Sequence, residues 1–96
     1  MSTQALTEKQ VQQALEELEE WEYENDALTV AYKFSNFPDA LAFIVRIGFI
    51  AEELAHHPEI YNVYSTVEIR LTTHDAGNKV TEKDVEFAKR IDNLEM

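Results

Sequence analysis

The stretch Ala40-Leu41-Ala42-Phe43-Ile44-Val45-Arg46-Ile47-Gly48-Phe49-Ile50-Ala51 decides the fold. Every residue in it except Arg46 is apolar or glycine, so as a helix it is hydrophobic nearly all the way round rather than along one stripe. A membrane span needs about 20 apolar residues, and this run is shorter and interrupted by Arg46. Its start is well marked: Ser35 or Asn36 can cap, Pro38 sits in the first turn where a missing N–H costs nothing, and Asp39 favours the positive end of the dipole. Its end is marked by His56-His57-Pro58, because Pro58 cannot continue a helix and disfavours helical geometry at His57. A chain of 96 residues has too few other elements to wrap such a helix on all sides. The expectation is a helix packed on a sheet on one side and on another copy of the chain on the other, in a homodimer or tetramer that also uses the sheet edge.

Working outward toward the N-terminus, Trp21-Glu22-Tyr23-Glu24 alternates, Asn25-Asp26 signals a turn, and Leu28, Val30, Tyr32 and Phe34 alternate again. This predicts a β-hairpin with large side chains on one face and Glu22, Glu24 and Lys33 on the other, hence a sheet covered on one side only. Before it, Thr7 and Gln10 form a capping-box pattern, Leu6 and Val11 a staple, and Val11, Ala14, Leu15 and Leu18 an apolar stripe, which predicts a first helix. Toward the C-terminus, residues 61–73 keep strand periodicity, either as one long bent strand or as two segments joined near Ser65. Residues 75–78 form a loop, and Val80, Thr81, Asp84 and Val85 repeat the staple-and-cap pattern before a helix with Phe87, Ala88, Ile91 and Leu94 on one stripe. The order α-β-β-α-β-β-α predicts a single-domain α+β sandwich over residues 1–96, with a largely antiparallel four-stranded sheet and three helices on one face.

The composition narrows the function. Eight Lys and Arg against 19 Asp and Glu give a net charge of −11, which repels phosphates and anionic headgroups and so argues against a nucleic-acid or membrane-surface role. With no cysteine, disulfides, thiolate metal sites and cysteine nucleophiles are excluded. Residues 1–10 show no basic stretch followed by an apolar one, so a cytoplasmic location is expected. The three histidines, His56, His57 and His74, all fall at element ends, where a helix end and a strand end can meet at one edge of a sandwich. The bland alternative is a helix C-terminal cation at His56 and two ordinary surface residues. Together with Glu52 the three imidazoles are suitable metal ligands, but adjacent His56 and His57 point different ways and no HExxH spacing is present, so no metal is expected. Two glycines build no phosphate loop, and no serine has a nucleophile-elbow context. Acid–base work remains, for which an imidazole with an unperturbed pKa of about 6.5 is suited.

Four strings carry a resemblance: Glu52-x-x-x-His56-His57-Pro58, Tyr61-Asn62-Val63-Tyr64, Leu71-Thr72-Thr73-His74-Asp75-Ala76-Gly77, and Thr81-Glu82-x-Asp84-Val85. In this order and spacing they resemble the pterin-4a-carbinolamine dehydratase family, as do the first helix, the Trp21 hairpin and the Phe37-x-x-Ala40 helix start. The resemblance implies removal of water from a 4a-hydroxytetrahydropterin to give the quinonoid dihydropterin, with neither metal nor organic cofactor. It implies His56 and His74 as the acid–base pair, in either assignment, His57 as a residue that positions the pterin, and Thr72, Thr73 and Asp75 along the polar edge of the ring. Glu52, one helical turn before His56, is expected to orient that imidazole or raise its pKa, the bland alternative being an exposed helical glutamate. Some relatives carry an acidic residue where this chain has Ala55 and an aromatic where it has Ile60. Animal relatives also serve as dimerisation cofactors for a transcription factor, so the alternative is a non-catalytic pterin-binding or interaction module with the same fold.

Overall fold

A computed structural model describes residues 4–94; residues 1–3, part of the stretch read for a targeting signal, and residues 95–96 of the single domain lie outside the described residues. The first helix, α1 (Glu8–Leu15), starts at a reciprocal capping box in which Thr7 N–H donates to Gln10 Oε1 at 2.8 Å and Gln10 N–H donates to Thr7 Oγ1 at 3.2 Å. The helix stops at Leu15, but Leu18 is buried nonetheless, through the turn that follows. Strands β1 (Glu22–Glu24) and β2 (Ala27–Lys33) form the expected hairpin, and positive φ at both Asn25 (52°) and Asp26 (61°) gives the tight turn that suits a right-twisted pair.

Helix α2 (Phe37–Leu54) begins at Asn36, whose side chain accepts from Asp39 N–H at 2.8 Å, with Pro38 in the first turn. One side of α2 buries Ala40, Phe43, Ile47, Ile50 and Ala51, while Phe37, Leu41, Val45 and Phe49 are exposed on the other. Each large side chain on the buried face contributes about 1.5–3 kcal/mol. The exposed residues recur four apart, which makes a second apolar stripe that no layer covers among the described residues.

Residues 59–71 are two strands, β3 (Glu59–Val63) and β4 (Thr66–Leu71), joined by a turn in which Tyr64 takes a positive φ of 51°. Because the chain reverses there, Tyr61 pairs with Glu68 on the outer face while Val67, Ile69 and Leu71 face the core. The sheet order is β1-β2-β4-β3, antiparallel throughout. Leu28, Val30 and Tyr32 stand opposite Leu71, Ile69 and Val67 on the inner face, and α2 and α3 (Glu82–Asp92) pack over these rows. The outer face carries Glu22, Thr29, Glu59, Glu68 and Arg70 and, among the described residues, meets no other layer. The expected sandwich, with three helices on one face of an antiparallel sheet, is the architecture observed. Among the described residues no helix is long and apolar enough to cross a membrane.

Candidate active site

The register between β3 and β4 gathers the candidate residues. Glu59 stands opposite Arg70, so the start of β3 and the end of β4 share one end of the sheet. His56, His57 and Pro58 lead into β3, and Thr72, Thr73 and His74 leave β4, at that same end. The approach to β3 is set by Ala55, which takes the left-handed conformation (φ 50°) and lets His56 N–H donate to Ala51 O at 3.0 Å. This closes the helix as a Schellman motif, in which the chain turns sharply away from the helix axis.

After that turn His56 points inward. It is 8% exposed, its ring lies 6.2 Å from that of Phe87, and its Nε2 lies 2.5 Å from Asp84 Oδ1. Asp84 is fully buried at the third position of α3, where its other oxygen, Oδ2, accepts from Thr81 N–H at 2.9 Å as part of a capping box. The same Oδ2 accepts from Thr73 Oγ1 at 2.8 Å. Since the Thr73 hydroxyl has one proton and gives it to Asp84, the 2.7 Å contact between the hydroxyls of Thr73 and Thr81 has Thr81 as donor. One hydroxyl, one backbone amide and one imidazole thus converge on a single carboxylate, with the Thr81 hydroxyl behind that of Thr73, and among the described residues no buried side-chain nitrogen or oxygen is left without a partner.

His57 and His74 are exposed. His57 Nε2 lies 3.7 Å from Glu52 Oε2, with both side chains about four-fifths exposed. The expected pairing of Glu52 with His56 is therefore not the one found: spacing of four places residues together only within a helix, and the left-handed Ala55 intervenes. His74 opens a short 3₁₀ turn (His74–Ala76), its Nδ1 3.2 Å from Asn78 Oδ1, and Asp75 follows it on the surface. The loop is pinned at its base, where Thr73 N–H donates to Lys79 O at 2.9 Å and Asn78 N–H donates to Thr73 O at 3.1 Å, with Gly77 (φ 74°) supplying the reversal. Thr73 differs from expectation, since its hydroxyl and backbone are spent inside the protein and it supports the site from behind. Thr72 Oγ1 donates to Asp26 O at 3.2 Å, which ties the β1–β2 turn to this end of the sheet. The Lys79–Asp26 ion pair at 2.8 Å strengthens the tie; the hydrogen bond from Lys79 holds the Asp26 carboxyl below its ordinary range, and Asp26 in turn raises Lys79.

Two further features frame the site. An open cleft of about 630 Å³ lies on the outer sheet face among Glu22, Glu24, Tyr61, Glu68 and Arg70, with no histidine on its walls. The histidines are at the sheet's end instead. No cluster of three or more His, Asp and Glu side chains among the described residues is arranged to hold a metal ion. Asp84 and Thr81 were legible in the sequence as a helix cap and as part of one string of the resemblance; the hold of Asp84 on His56, 28 residues away in the chain, was not.

Residues 4–94 match the family model described as pterin 4 alpha carbinolamine dehydratase. The chain belongs to that family. A protein of Opitutus terrae that carries the provisional name pterin-4-alpha-carbinolamine dehydratase is 53% identical over 89 residues, covering 93% of this chain and 92% of that one. A Sulfolobus acidocaldarius protein with the same provisional name is 41% identical over 90 residues, covering 94% and 98%. The crystal structure of a transcriptional coactivator/pterin dehydratase from Brucella melitensis superposes with a TM-score of 0.87 at 37% identity, covering 92% of this chain and 95% of the other.

Proposed function

We propose that the protein is a 4a-hydroxytetrahydropterin dehydratase, a hydro-lyase that serves pterin recycling in the cytoplasm. In the reaction the C4a–O bond breaks, the N5–H proton leaves, a C4a=N5 bond forms and water departs. Two proton transfers are needed, one to the leaving hydroxyl and one from N5, and imidazoles perform both near neutral pH. The observation that carries the proposal is the hydrogen-bonded path from buried His56 through Asp84 to Thr73, the residue next to His74, in a chain of this family. His56 and His74 are the acid–base pair, His57 positions the pterin from the exposed side, and Thr72 and Asp75 border its polar edge. No resident cofactor is required, because the electrons that form C4a=N5 come from the N5–H bond.

Stopped-flow dehydration of a 4a-hydroxytetrahydropterin tests this. His56→Ala and His74→Ala are expected to lose about 10²–10⁴ in rate, and His57→Ala to act chiefly on KM. Equal rates for the wild type and all three variants overturn the proposal.

The exposed stripe of Leu41, Val45 and Phe49 on α2 supports a homo-oligomer, and the exposed Ile60, Tyr61 and Val63 on the edge strand β3 offer a second contact. Sedimentation should show a dimer or tetramer that Val45→Glu dissociates; a wild-type monomer at micromolar concentration contradicts it. The same stripe favours a second reading, an interaction module with an idle pocket. That reading prevails if the chain self-associates tightly but leaves quinonoid formation at its spontaneous rate.

A further inference from the structure

We infer that Asp84 fixes the tautomer of His56, so that Nε2 permanently carries the proton facing Asp84 and Nδ1 is the nitrogen that takes up and releases a proton toward the substrate. The inference deepens the dehydratase reading and rests on it for the substrate's part, but the tautomer itself follows from the contacts made by Asp84 as a carboxylate.

A carboxylate only accepts hydrogen bonds. Asp84 Oδ2 is occupied by Thr81 N–H and the Thr73 hydroxyl, and Oδ1 faces His56 Nε2 at 2.5 Å. Nε2 is therefore the donor, and the neutral ring keeps its lone pair on Nδ1. The arrangement cannot reverse by itself, because the Thr81 N–H belongs to the backbone and has no other polarity to offer. It holds Asp84 in one orientation, and the Phe87 ring beside His56 restricts rotation of the imidazole. Asp84 touches no substrate in this scheme and is a positioning residue: it decides which ring nitrogen is free.

The decisive substitution is Asp84→Asn, which preserves shape. Thr81 N–H demands an acceptor, so the amide oxygen must take the place of Oδ2 and the amide NH₂ must face His56. Nε2 then becomes the acceptor and the proton moves to Nδ1. Histidine ¹⁵N spectra of the wild type should show the neutral His56 ring protonated on Nε2, with its lone pair on Nδ1. The Asp84→Asn protein should show the reverse pattern, with kcat reduced about 10²-fold or more and KM nearly unchanged.

A wild-type neutral ring protonated on Nδ1, or a ring doubly protonated at every pH tested, overturns the inference, and this needs no variant to fold. An Asp84→Asn protein with the inverted tautomer but full kcat also overturns it, by showing that Nδ1 is not the working atom. Failure of the dehydratase reading looks different: the wild-type spectra are as stated, but the protein does not accelerate dehydration.

Discussion

His56 and His57 share a peptide bond, yet the side chain of one is 9% exposed against Asp84 while that of the other is 79% exposed near an equally exposed Glu52. One left-handed residue, Ala55, produces the difference by ending the helix so that His56 falls inward and His57 outward. Identical side chains therefore have different surroundings. A buried imidazole with a fixed partner offers one nitrogen in one place, which suits proton transfer to a defined atom. An exposed imidazole beside an exposed carboxylate offers adaptable contact instead.

Four experiments sharpen or break the contrast. Asp84→Ala should have the greatest effect, since it strands His56, Thr73 and the Thr81 amide together; a loss of about 3–5 kcal/mol is expected in urea unfolding. His56→Ala should cost less, about 1–3 kcal/mol, because only one acceptor of Asp84 loses its donor. Third, His57→Ala should stay within about 0.5 kcal/mol of wild type; a loss matching that of His56→Ala would erase the distinction drawn between them. Ala55→Gly tests its origin: relief of the left-handed conformation should raise stability by up to about 1 kcal/mol in thermal melts, with the His56–Asp84 contact intact.

The Asp26–Lys79 pair adds a pH dependence at the rim of the same end. Lys79 lowers the folded-state pKa of Asp26, so its contribution is present above the unfolded carboxylate value and lost as pH falls through the folded one, in the acid range below about pH 4. The pair is exposed, so added salt should reduce the effect. Asp26→Asn should flatten the acid limb of the unfolding curve relative to wild type.

Much of the fold was legible because periodic patterns act locally. The caps at Thr7, Asn36 and Thr81 and the apolar excess of α2 all have a meaning within one or two turns of helix. The division of β3 from β4 was not decided by the sequence, since the turn places Tyr64, rather than a glycine, at positive φ. Of the site, the three histidines and their common sheet end were legible from element ends. The partner of His56 was not, because Asp84 already had a sufficient explanation as a helix cap and the contact is made only when α3 packs against the end of α2. Glu52 misled for a related reason: helical spacing was carried two residues past Leu54, where the helix stops.

The turn at Tyr64 and Ser65 works as a gauge set at the opposite rim of the molecule. Asn62 Nδ2 braces it by donating to the carbonyls of Tyr64 and Thr66 at 3.2 and 2.9 Å, and from there five paired positions run to Glu59 and Arg70. Lengthening that turn by one amino acid would slide one strand by about 3.3 Å and invert its faces. The segment holding the paired imidazoles would then arrive out of step with the segment that carries the third, even though nothing within reach of a ligand had been altered.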